Sequence, residues 1–277
     1  MPQIVQSLPY VAWVLLAALA LGSFGLVALT ARLSDATRGY LAFTSFCAGL
    51  LALLALLTDW GLPAPADLVI ERASPAMDAL RQAGLGVFAA ATFAYALVVR
   101  RRLTATALAE VAAVGAAATV IAAAAFGWQR PDDAVPLLVQ LTALAGVAGG
   151  SLAAIVLGHW YLVTPGISAR PLLVQSRAVF WLLALQVLLF VTWTTLGGGP
   201  GRVPFSAFAT GTGTTLLVAL RLVVTLLFPL LLAWMAGRTA ATRSMESATG
   251  LLYINLAAVM AGTIGAAALY LSAGLLV

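Results

Sequence analysis

The chain has a single histidine, His159, in the segment GHWYLVTPGISARPLLVQSRAVFW from Gly158 to Trp181, between two long apolar runs. An imidazole changes its charge near neutral pH and can donate or accept a hydrogen bond at its ring nitrogens. Around it the sequence supplies the other parts of a headgroup site: Arg177 to stabilise negative charge and Glu110 or Glu246 to handle a proton. Gln175, Ser176, Ser244 and Ser247 add hydrogen-bonding capacity. Arg177 and Glu110 each fall about one and a half helical turns into an apolar run, while Arg238, Arg243 and Glu246 flank a short link, so all belong at one depth. The expectation is one polar pocket for a quinone-like headgroup or an anionic lipid. The plainer reading of each residue taken singly is anchoring at the lipid headgroups or helix-dipole complementarity.

Arg221 is the second candidate. It lies fifteen residues before Ala236, about 22 Å along a helix axis, well inside an apolar run. An ionised group at that depth is expensive unless it finds a partner or a water-filled cavity. Thr214, Thr225 and Phe228 should share its face, Pro229 can bend the helix, and Asp59, Asp132, Asp133 or an anionic ligand are the candidate partners. On this residue rests a rival reading, a small-solute or ion transporter.

Other chemistries are disfavoured. The fourteen basic residues are all Arg, so Schiff-base chemistry on lysine is excluded, and the single Cys47 cannot form an internal disulfide. One histidine cannot supply bis-His haem ligation, which leaves His159 with Met245 as the conceivable axial pair. No HExxH, G-x-S-x-G, P-loop or Asp-rich diphosphate motif occurs, and acids are too sparse for an intramembrane lipid-modifying enzyme. No catalytic residue is assigned.

Composition states what must position these residues. Hydrophobic residues make up 63% of the 277 positions and charged residues 8%, too few to cover a water-facing surface. Apolar runs long enough to cross a bilayer recur along the chain, and strand-type alternation is absent. The pattern predicts an all-α polytopic membrane protein of eight spans in a single domain: Leu8 to Thr30, Tyr40 to Leu57, Leu80 to Val99, Ala105 to Phe126, Val135 to Val163, Leu172 to Leu196, Thr214 to Ala236 and Ala248 to Leu271. The first run follows a leader without basic residues and is longer than a signal-peptide core, so it reads as a retained span.

The arginines sort by side. Arg32, Arg38, Arg100, Arg101, Arg102, Arg170, Arg238 and Arg243 lie in the links after spans one, three, five and seven. The other links hold Arg72, Arg130 and Arg202, plus Arg81 at the start of span three, with most of the acids: Asp59, Asp67, Glu71, Asp78, Asp132 and Asp133. The positive-inside rule then places the first set in the cytoplasm and both termini on the periplasmic side of a bacterial inner membrane. The scattered charge is a topology signal and not a nucleic-acid footprint. The expected partners are the lipid bilayer and other membrane subunits.

Helical phase adds two expectations. Gly146 and Gly150 form a G-x-x-x-G pair for close helix contact, while Ser151 and His159 should share nearly the opposite face. Gln186 and Asn255 should each bond to a neighbouring helix. Loop lengths also hint at a duplication of about 1–130 and 131–277.

Overall fold

A computed structural model describes the chain except residues 1, 66–67, 71–74, 102–104, 130–132, 165, 199–202 and 210, and the side chains of 2–5. Arg72, Arg102, Arg130, Arg202, Asp67, Glu71 and Asp132 fall outside the described residues. Eight helices are long and apolar enough to cross a membrane: α1 Pro2–Leu33, α2 Arg38–Trp60, α3 Pro75–Arg101, α4 Thr106–Gly127, α5 Ala134–Val163, α6 Arg170–Leu196, α7 Thr212–Ala241 and α8 Met245–Ala273. Seven contain the whole apolar run that predicted them, and α4 contains all of its run but Ala105, which is its N-cap. In hydrocarbon only a helix satisfies every backbone N–H and C=O within its own segment, so the run length dictates the element.

The ends follow local chemistry. The Thr37 hydroxyl accepts the Tyr40 N–H to start α2. Pro171 occupies the first turn of α6, where its missing N–H costs nothing. Left-handed glycines, Gly197 (φ 88°) and Gly274 (φ 64°), end α6 and α8, a conformation other residues rarely adopt. Between α6 and α7 the described residues include a 3-10 turn, Ser206–Phe208.

Two helices form the centre. In their most apolar windows α1 is 78% buried and α5 72%, whereas the other six lie between 28% and 56%. They cross with almost no side chain between them. A Cβ built on Gly22 would sit 1.7 Å from the Ala145 carbonyl oxygen, and one on Gly149 would sit 2.2 Å from the Ser23 nitrogen. The expected Gly146–Gly150 pair is therefore displaced as the point of closest approach: Gly146 meets Leu182 of α6, Gly150 meets Leu26 and Val179, and Gly149 makes the backbone contact. Helices α2, α3 and α4 follow one another as packed neighbours on one flank, and α6, α7 and α8 do so on the other. Helix α8 also packs on both α1 and α5.

Outward faces of the bundle are apolar, with Leu50, Leu57, Val111, Leu188, Leu216 and Tyr253 all exposed. Lipid covers such a surface and water does not. After α8 the chain turns back into the bundle: Leu275, Leu276 and Val277 are buried, the Leu276 N–H donates to the Gly198 carbonyl (2.8 Å), and Gln140 donates to the Val277 oxygen (2.8 Å).

Candidate functional site

The residues expected to converge do not meet. His159 lies on the exposed surface of α5, while Ser151, eight residues earlier, is fully buried and accepts a hydrogen bond from Asn255 of α8 (2.9 Å). Eight residues carry an α-helix about 80° past two full turns, enough to separate an inward from an outward position. Glu110, 7% exposed on α4, pairs with Arg32 of α1 at 2.7 Å, as an ion pair without a well-aligned hydrogen bond. Glu246 is exposed and borders a polar hollow with Tyr161, Ile167, Arg243 and Ser244. Met245 lines that same hollow, whereas His159 is not among its walls. The expected pocket of His159, Arg177, Glu110 and Glu246 is thus replaced by separate local contacts. Equal depth along the bundle axis did not imply equal azimuth around it.

Arg177 has different company. It lies on a groove of about 390 Å³ between α6 and α7, with Leu173, Ser176 and Phe180 on one wall and Ala233, Trp234, Gly237 and Arg238 on the other. Arg238 stacks over Trp234, its guanidinium carbon 6.0 Å from the ring centroid. Neither Arg177 nor Arg238 has an acidic partner among the described residues. The Ser176 hydroxyl is buried without a partner among the described residues. The corresponding groove of the other flank, between α2 and α3, is aromatic, lined by Phe43, Phe46, Phe93 and Trp160, and holds one cation, Arg100. Beside the two-arginine groove, Gln175 donates to the Thr30 hydroxyl (2.8 Å) and the Tyr40 hydroxyl (2.5 Å), and Tyr40 donates to the Ala153 carbonyl (3.3 Å). This buried network ties α6 to α1, α2 and α5, so the α6 wall is firmly seated.

A second polar cluster occupies the opposite end of the bundle, where Asp59 lies in the last turn of α2 and Arg81 in the second turn of α3. Arg81 is 0% exposed. Its Nε donates to Asp59 Oδ2 (2.5 Å), Nη2 to Asp59 Oδ1 (3.1 Å) and Nη1 to Asp78 Oδ1 (2.9 Å), and Gln82 donates to Asp59 Oδ1 (2.9 Å). Trp128 lies against the guanidinium at 4.4 Å and Trp13 at 5.5 Å, from α4's C-cap and from α1. A fork of this kind, with each of its three nitrogens on a carboxylate and its faces covered by indoles, acts as a four-helix lock. The sequence reading passed over Arg81 as a span-end residue and offered Asp59 to Arg221 instead. The i, i+3 spacing of Asp78 and Arg81 was the signal available for it.

No relative emerges. The chain matches no family model, no curated protein and no solved structure. Function must therefore be argued from its own geometry.

Arg221 is 4% exposed and has no carboxylate partner among the described residues. Nη2 donates to Gln186 Oε1 of α6, and Nη1 to the Thr225 hydroxyl (3.2 Å), which itself donates to the Arg221 carbonyl (2.8 Å). Gly262 of α8 faces the same guanidinium, and a Cβ there would stand 2.5 Å from Nη1. Next to Arg221 the helix widens into a π turn over Val223–Leu227, just ahead of Pro229. Proline offers no N–H and crowds the carbonyl four residues back, and the wider turn relieves both problems. It also slips the register, so Phe228 faces out while Pro229 is buried, against the expectation that Phe228 shares the Arg221 face. Among the described residues no three of His, Cys, Asp and Glu gather closely enough to hold a metal ion.

Proposed function

We propose that the chain is an integral subunit or binding component of a bacterial inner-membrane assembly, and that its α6–α7 groove seats the phosphate of an anionic lipid. The observation that carries this reading is the pairing of Arg177 and Arg238 on one groove with no acid among its lining residues. Arginine is weakly hydrated and forks onto phosphate oxygens, so two of them flanking an apolar cleft suit a headgroup whose acyl chains run along the helices. The unpaired Ser176 hydroxyl supplies a donor at the groove wall. The concentration of arginines at this end supports a cytoplasmic orientation. Glu110 is withdrawn from the site by Arg32, and His159 and Glu246 lie outside the groove, so no proton-handling role follows for them.

Native mass spectrometry of the detergent-purified protein, with phosphatidylglycerol and phosphatidylcholine offered in equal amounts, tests the reading. The wild type should retain the anionic lipid preferentially. Two arginines near a lipid surface contribute about 1 kcal/mol each, so Arg177→Gln with Arg238→Gln should cut that retention roughly twenty- to thirty-fold. His159→Ala should leave it unchanged. Equal retention by wild type and double variant removes the site.

A further inference from the structure

The two flanks of the bundle contain one arrangement in two electrical versions. Arg81 stands 20 residues before the end of α3 and Arg221 stands 20 residues before the end of α7. Each is buried, and each takes an acceptor from the preceding helix, Asp59 of α2 in one case and Gln186 of α6 in the other. In the first flank two carboxylates neutralise the cation. In the second an uncharged amide stands in that place, and no described carboxylate compensates the positive charge.

We propose that Arg221 and Gln186 hold a small monovalent anion, of the chloride or carboxylate kind, among α6, α7 and α8. The unpaired atoms state the ligand's chemistry. Arg221 Nε and Gln186 Nε2 are both buried and both without a partner among the described residues, and both are donors. Because Gln186 Oε1 is taken up by the guanidinium, its NH₂ group must point elsewhere. A buried donor left unmade costs about 1–3 kcal/mol, and a buried charge without a partner costs more. The missing component is therefore an acceptor carrying negative charge, and a cation or an apolar ligand leaves both deficits in place. A large anion does not fit the setting, because Gly262 is already against Nη1 and Thr225 closes the next side. The adjoining π turn over Val223–Leu227 gives α7 a local departure from α-helical geometry next to Arg221. The site is separate from the α6–α7 lipid groove, and none of its residues lines that groove.

The test uses the whole purified protein. Thermal unfolding is followed in sodium gluconate and in sodium chloride or sodium formate at equal ionic strength, and chloride NMR line broadening is read in parallel. The wild type should show a saturable rise in midpoint with chloride, formate or both, and the effective anion identifies the ligand as halide or carboxylate. Gln186→Glu rebuilds the arrangement of the other flank, with an internal carboxylate on the arginine, so it should fold and lose the anion response entirely. Arg221→Gln should lose it too, since the charge that recruits the anion is gone. Water alone on these donors predicts a wild-type midpoint indifferent to chloride and formate, and that result, or an undiminished response in Gln186→Glu, overturns the site.

Discussion

Gly22 and Gly149 touch backbone to backbone where α1 crosses α5, the two most buried helices of the bundle. Ala at Gly22 would press a Cβ to 1.7 Å of the Ala145 carbonyl, and Ala at Gly149 would press one to 2.2 Å of the Ser23 nitrogen. Both neighbours are main chain and cannot rotate away. Each substitution should sharply lower the yield of monodisperse protein in size-exclusion chromatography. Gly25→Ala is the matched control, because nothing lies within 4 Å of its Cβ. It should be neutral, or stabilising by about 0.5–1 kcal/mol through helix propensity.

The two buried arginines should respond oppositely to the same replacement. Arg81→Met removes the cation from the fully buried Asp59 carboxylate, a loss of roughly 3–5 kcal/mol by the usual behaviour of a buried pair deprived of one partner. Adding Asp59→Asn to that variant should recover part of the loss. Arg221→Met removes a charge with no acidic partner among the described residues, and in gluconate buffer it should raise the unfolding midpoint. A fall in midpoint for Arg221→Met comparable to that of Arg81→Met would count against an uncompensated charge.

Orientation can be read chemically. On a Cys47→Ala background, Ala64→Cys and Thr242→Cys place single thiols at opposite ends of the bundle, both at exposed positions. A membrane-impermeant maleimide added to intact cells should label Ala64→Cys and spare Thr242→Cys until the cells are opened. The reverse pattern would invert the proposed topology.

Cysteines placed along α7 separate a static anion site from a conducting path. Val223 and Val224 face outward and Thr225 faces in beside Arg221. With a sealed site, Thr225→Cys should stay unreactive to small aqueous thiol reagents from either side. Reaction from one side at a time would favour the transporter reading of Arg221 over a resident ion.

How much of this was legible beforehand divides along a physical line. The eight spans could be read because hydrocarbon demands an uninterrupted apolar helix, and an apolar run is visible in any register. Facing was not legible. Outside a membrane bundle the solvent is as apolar as the interior, so the stripe that normally marks a buried face is missing, and Ser151 and His159 could not be sorted into in and out. Partners were harder still. Glu110 is paired with Arg32 of α1, Gln186 with Arg221 of α7, and Gln175 with Thr30 and Tyr40, and nothing in the spacing along the chain names such distant contacts. Depth could be counted from the sequence, and it placed Arg221 well inside its span. The π turn, which resets the facing of Phe228, has only Pro229 as its trace in the sequence.

The glycine crossing also imposes an order of assembly. Helix α1 leaves the ribosome before α5, yet the surface it must bury belongs to that segment, synthesised more than a hundred residues later. At ordinary translation speeds that interval is on the order of ten seconds. Throughout it, Gly22 and the flat face around it wait without the surface they are shaped for, and the crossing can close only once the fifth span has been made.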